Sequence, residues 1–156
     1  MDQIFLSYVA GFVDGEGSIC IARDKLKPPR NPSYWLRCQV YNTNKSVIEY
    51  IRDGFGFGSI DPGKMGPNSN ALVYRLNFSG NECLKMLELI LPYMRVKKEE
   101  ASIGIRFQKE KKEPHCRWKG HSPEELAKRE WFYNELINVR RRKYNQEEIP
   151  NTIGGE

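Results

Sequence analysis

The stretch that most constrains this chain is Val9–Gly17, VAGFVDGEG. It closes a run over 3–14 that reads as a helix. Ile4, Phe5, Leu6, Val9, Phe12 and Val13 make that helix apolar nearly all round, as a buried helix is. Yet it ends on two acids, Asp14 and Glu16, set among Gly11, Gly15 and Gly17. Carboxylates there face the negative end of the helix macrodipole. Small residues stand where a core would want bulk.

Ser7, Gly11 and Gly15 recur at every fourth position, with Ala10 beside them. Such a stripe lets two helix backbones approach closely. It suggests that the helix packs against a copy of itself about a two-fold axis. That pairing brings two Glu16 carboxylates together. They repel unless a divalent cation sits between them. The acids then make sense as a metal site at a symmetric interface.

The rest of the pattern predicts one α+β domain. Residues 17–24 alternate as a strand, and 34–43 form a second. Leu36, Cys38 and Val40 fall on one face of the second strand, and Trp35, Arg37, Gln39 and Tyr41 on the other. A short helix follows, capped at Asn42, Thr43 or Asn44 and stopped by Gly54. GFGSIDPG and ALVYRLNFS read as a second strand pair, with Arg75 and Asn77 on the polar face. Helices follow over 80–91 and through VKKEEASIGIRFQKEKK. Ser122-Pro123-Glu124-Glu125 starts a last helix that runs to about Lys143. The expected order is αββαββα, with two strand pairs joined into one antiparallel sheet, helices on one face and the other face wet. The domain is expected over 1–144, with a core at about 3–110, a helical extension at 111–144 and a loose tail at 145–156.

Charge points to a partner. The net charge is +5, and it is uneven: 95–143 carry 15 Lys/Arg against 8 Asp/Glu, and 17–45 carry six basic residues against Asp24. Basic stretches of this kind suit a polyanion, most often nucleic acid. No apolar run approaches the ~20 residues of a membrane span, and no basic leader precedes a signal core, so no membrane association is expected. Cys20, Cys38, Cys83 and Cys116 contain no CxxC pair and suggest a reducing, intracellular setting. His115, Cys116 and His121 offer the start of a zinc site, but no fourth ligand is evident and a polar loop is the simpler reading. GFGFG precedes a strand rather than opening a helix, which argues against a dinucleotide loop.

VAGFVDGEG resembles the nine-residue LAGLIDADG motif of homing endonucleases. Ala10, Gly11, Asp14 and Gly17 match its letters; Val9, Phe12 and Val13 are apolar for apolar; Gly15 is small for small; Glu16 stands for the second acid. The resemblance extends over roughly 3–105 through the element order. It implies that Ser7, Ala10, Gly11 and Asp14 belong to a dimer interface. Glu16 would bind the catalytic metals, with the Gly15 carbonyl as helper. Asn42, shorter than the usual glutamine, would position water, and Lys97, with Lys98 next to it, would stabilise the scissile phosphate. The expected cofactor is Mg²⁺ or Mn²⁺, with Ca²⁺ binding without supporting cleavage. A single motif implies a homodimer and a pseudo-palindromic double-stranded DNA target. The wet sheet face would read the major groove through Trp35, Arg37, Gln39, Tyr41, Arg75 and Asn77. Lys25, Lys27, Arg30 and Tyr34 of the first loop would reach flanking DNA. The alternatives are an RNA maturase or another non-cleaving nucleic-acid binder on the same fold, and a purely structural dimer.

Overall fold

The computed structural model describes residues 1–24, 32–64, 72–112 and 120–146. Lys25, Lys27, Arg30, His115, Cys116 and the tail beyond Gln146 lie outside the described residues. Helix α1 (Gln3–Glu16) starts where Asp2 accepts the Ile4 N–H, and it buries Phe5, Leu6, Val9, Ala10 and Val13. It feeds directly into β1 (Gly17–Asp24), which returns as β2 (Ser33–Asn42).

Asn44 is the cap that starts α2 (Lys45–Phe55). The helix runs through Gly54 and stops at Gly56, whose positive φ of 75° suits glycine. Strands β3 (Ser59–Lys64) and β4 (Leu72–Ser79) follow, then α3 (Gly80–Ile90). A single 3-10 turn at Leu91–Tyr93 leads to α4 (Lys98–Glu110). Ser122 caps α5 (Pro123–Gln146) through the Glu125 N–H at 3.2 Å. This helix continues through Asn145 and Gln146, where a loose tail was expected.

The four strands form one antiparallel sheet in the order β1-β2-β4-β3. Alternation sorts its two faces. Ile19, Ile21, Leu36, Cys38, Val40, Leu76 and Phe78 turn toward the helices and are almost fully buried. Helices α1 to α4 all pack on the sheet. The opposite face is the expected polar one.

Helix α5 does more than extend the domain. Phe132, Leu136 and Val139 join the main core, and Phe132 meets Phe107 of α4 edge-on at 5.9 Å between ring centres. The helix also packs against β1, an end strand of the sheet. Arg140 donates to the Ile19 carbonyl oxygen of that strand. An uncovered edge exposes backbone groups to other chains, and α5 closes this one.

Candidate functional site

The end of α1 and the start of α4 are tied by reciprocal bonds. Asp14, in the last turn of α1, accepts three backbone N–H groups: Arg95 at 2.7 Å, Val96 at 3.1 Å and Lys97 at 2.8 Å. Burial alone would raise this carboxyl's pKa. The three N–H bonds and the Lys97 charge outweigh it and hold the pKa below the ordinary value. In return, Lys97 Nζ reaches the last-turn carbonyls of α1, at 3.1 Å from Val13, 2.6 Å from Asp14 and 3.4 Å from Gly15. Burial lowers the Lys97 pKa, despite the charges of Asp14, Glu100 and Glu16 that oppose the shift.

Glu16 ends the same helix but points elsewhere. It is exposed and makes no hydrogen bond or ion pair among the described residues. Its side chain lines an open cavity of about 430 Å³ together with Tyr41, Asn42, Thr43, Lys64 and Val73. Asn42 closes β2, and its Oδ1 accepts the Asn44 N–H at 2.8 Å, which fixes the amide at the cavity wall. The structure thus brings the predicted Glu16 and Asn42 onto one cavity, whereas Lys97 is not among its lining residues and sits behind the end of α1, nearest the Asp14 carbonyl. Lys64 is an addition that sequence reasoning missed. It stands at the end of β3 with no motif around it, and only the strand pairing carries it to the cavity that Glu16 lines.

Among the described residues, no cluster of three or more His, Cys, Asp or Glu side chains could hold a metal ion. One protomer offers Glu16 and neighbouring carbonyl and amide oxygens. This donor set suits a hard divalent cation if a second copy adds its own.

The expected interface stripe divides in two. Ser7 and Gly11 are exposed, and a Cβ built on Gly11 or Gly15 meets nothing within 4 Å. Ile4 and Tyr8 lie in the same open band, 79% and 43% exposed. Ala10 does not belong to it. One helical position round, it is fully buried in the protomer's own core. Asp14 also turns away from the stripe, because its carboxylate is committed to the turn before α4.

The wet face is confined to β1, β2, β4 and β3 side chains opposite the helices. Trp35 and Arg37 are half-buried and Tyr41 is exposed. Gln39 is 7% exposed, covered by its neighbours rather than free. Tyr41 donates to Gln39 Oε1 at 3.1 Å, Gln39 Nε2 donates to Asn77, and Asn77 Nδ2 donates to Asp61 at 2.6 Å. The Nε atoms of Arg37 and Arg75 are buried and make no hydrogen bond among the described residues. Between this face and α5 runs a groove of about 520 Å³ lined by Trp35, Arg37, Tyr133 and Arg140.

Tyr34 is the clear correction. It is 4% exposed, because strand alternation places it with Leu36 and Cys38 on the helix side. Its hydroxyl donates to Glu130 of α5. Burial, reinforced by that carboxylate, raises its pKa to about 12. Arg23 pairs with the same Glu130 at 3.0 Å and stands over the Tyr34 and Tyr133 rings, so it serves α5 docking.

A model of the LAGLIDADG endonuclease family matches residues 9–113, a span holding the motif, the whole sheet and Lys97. No curated protein matches the chain significantly. Solved structures share the fold. One is the homing endonuclease I-CvuI in complex with the I-CreI target in the presence of Mg, with a TM-score of 0.71 and 18% identity over 88% of this chain and 82% of that one. The archaeal intron-encoded homing endonuclease I-Vdi141I, complexed with DNA, superposes at 0.68 with 19% identity over 88% and 85%. The homing endonuclease I-TnaI superposes at 0.60 with 18% identity over 88% and 96%. By its motif, its sheet and its family match, the chain belongs to the LAGLIDADG endonucleases.

Proposed function

We propose that two copies of this chain pair through the open band of α1 and cut both strands of a pseudo-palindromic DNA site. The observation that carries this reading is Glu16, an unpartnered carboxylate beside Asn42 and at the end of an exposed small-residue stripe. Two-fold pairing there completes a donor set that one protomer lacks. A bound divalent cation would polarise the phosphate and lower the pKa of an attacking water. Mg²⁺ and Mn²⁺ are the candidates to support cutting, and Ca²⁺ to bind without it.

The chain's own groups have separate tasks. Glu16 holds the cation. The Asn42 amide, fixed through its oxygen, presents its Nδ2 to a water in the cavity. Lys97 keeps positive charge beside the scissile phosphate, where charge builds during displacement. Trp35, Arg37, Tyr41, Arg75 and Asn77 lie in the major groove and read base edges. The loop basics Lys25, Lys27 and Arg30 extend the contact to flanking DNA. The free thiols Cys20, Cys38 and Cys83 suit a reducing, intracellular compartment.

The test is incubation with a random duplex library in Mg²⁺ and in Ca²⁺, beside Glu16→Gln. Cutting in Mg²⁺ that the variant loses, while binding in Ca²⁺ survives, supports the reading. Sequence-specific binding with no cutting in Mg²⁺ or Mn²⁺ overturns it in favour of a non-cleaving binder or an RNA maturase.

A further inference from the structure

Strand register sets Asp61 of β3 directly opposite Arg75 of β4. Ile60, the neighbour of Asp61, packs against the core, so Asp61 lies on the wet face, where it is exposed. Opposite charges at such positions ordinarily pair. Here they do not. The Arg75 guanidinium stands 5.8 Å over the Tyr41 ring, and its Nε has no hydrogen-bond partner among the described residues. Asp61 makes one bond, in which Oδ2 accepts Asn77 Nδ2 at 2.6 Å.

That bond is itself fixed. Asn77 Oδ1 accepts from Gln39 Nε2, and Gln39 Oε1 accepts from Tyr41. The chain Tyr41–Gln39–Asn77–Asp61 therefore allows one orientation of each amide. It leaves Asp61 Oδ1 as an acceptor with no partner among the described residues, beside a guanidinium held by an aromatic ring. An unpaired carboxylate on a face that meets DNA is repelled by phosphate. Its presence is explained if it accepts from a base. In the major groove the donors are the exocyclic amines of cytosine and adenine, and arginine prefers guanine O6 and N7. A G·C pair presents the cytosine amine and the guanine acceptors side by side.

We propose that Asp61 and Arg75 of each protomer together read one G·C base pair in each half-site, Arg75 on the guanine and Asp61 on the cytosine amine. This rests on the DNA-cleaving function proposed above and names a specificity element within it.

The experiment is selection of bound duplexes from a randomised library in Ca²⁺, using the full chain, Asp61→Asn and Arg75→Ala. The parent chain should prefer the G·C pair by about tenfold at one mirrored position. In Asp61→Asn the amide oxygen stays on Asn77 and the NH₂ faces the groove. At that position the cytosine contact is lost while Arg75 still favours guanine, so the variant should keep the G·C preference in weakened form. Arg75→Ala should relax the same position. An Asp61→Asn profile equal to the parent's at every position overturns the proposal, as does relaxation by the two variants at unrelated positions. A parent chain that enriches no sequence overturns the DNA-cleaving reading and this pair with it. A parent with a clear site and an unchanged Asp61→Asn profile overturns the pair alone.

Discussion

The Asp14 carboxylate sits on the backbone N–H groups that lead into α4, while the Lys97 ammonium sits on the carbonyls that end α1. Each side chain compensates the partial charge of the helix end opposite it. An acid that looks misplaced at the end of α1 is thus well placed against α4. The exchange also locks Lys97 beside the strand of backbone that delivers Glu16.

This lock has a pH signature. The native Asp14 pKa lies below its ordinary value of 3.8, so its contribution to stability is complete above that value. It is lost as pH falls through the native pKa. Asp14→Asn should destabilise the fold at neutral pH by about 1–3 kcal/mol, through weaker acceptance of the N–H groups. The deficit should shrink under acid conditions. Urea unfolding at pH 7 and at pH 3 checks both points.

Lys97 should govern the alkaline limit of cutting. Burial holds its pKa below the ordinary 10.5, and the ammonium is the form that favours a phosphate. The alkaline limb of kcat/KM should therefore fall below that pH and move upward in Lys97→Arg. Lys97→Met should lose about a hundredfold or more in kcat, as removal of a charge-stabilising donor does elsewhere. A pH profile of single-turnover cleavage separates the two variants.

Two glycines of the helical layer should respond in opposite ways. Gly11 faces open space, so Gly11→Leu should leave the monomer folded and gain up to about 1 kcal/mol of helix propensity. The same side chain should block pairing through α1, giving a monomer in sedimentation and no double-strand cutting. At Gly54 an added Cβ runs into the Phe5 ring. Gly54→Ala should therefore cost about 1–3 kcal/mol by overpacking, measured by denaturant midpoint.

Removing Glu130 should loosen α5. Glu130→Ala leaves the buried Tyr34 hydroxyl and Arg23 without their shared acceptor. A loss of about 1–3 kcal/mol is expected. Hydrogen exchange should rise first in α5 and along β1.

Periodicity was enough to read the element order. The apolar pattern of 3–14, the alternation in 17–24 and 34–43 and the Ser122-Pro123 start each reflect local geometry, which a sequence carries directly. The resemblance likewise pointed to Glu16 through the motif, to Asn42 by its place after the second strand and to Lys97 in the segment after the helix that follows the fourth strand; of these, the structure sets Glu16 and Asn42 on one cavity. Alternation even contained the correction for Tyr34, since its even number puts it with Leu36. What the sequence left open depended on contacts between distant segments. Ala10 and Gly11 are neighbours in the chain, and only the packing of α1 decides that one is core and the other open. Asp14 found its partners 81 to 83 residues away. Lys64 and Asp61 gained their meaning from strand pairing, and Glu130 from the docking of a helix 96 residues beyond Tyr34. Local pattern determines which elements form and which face is apolar. Tertiary packing alone decides which polar groups meet, because hydrogen bonds across the fold depend on register and approach that no local pattern encodes.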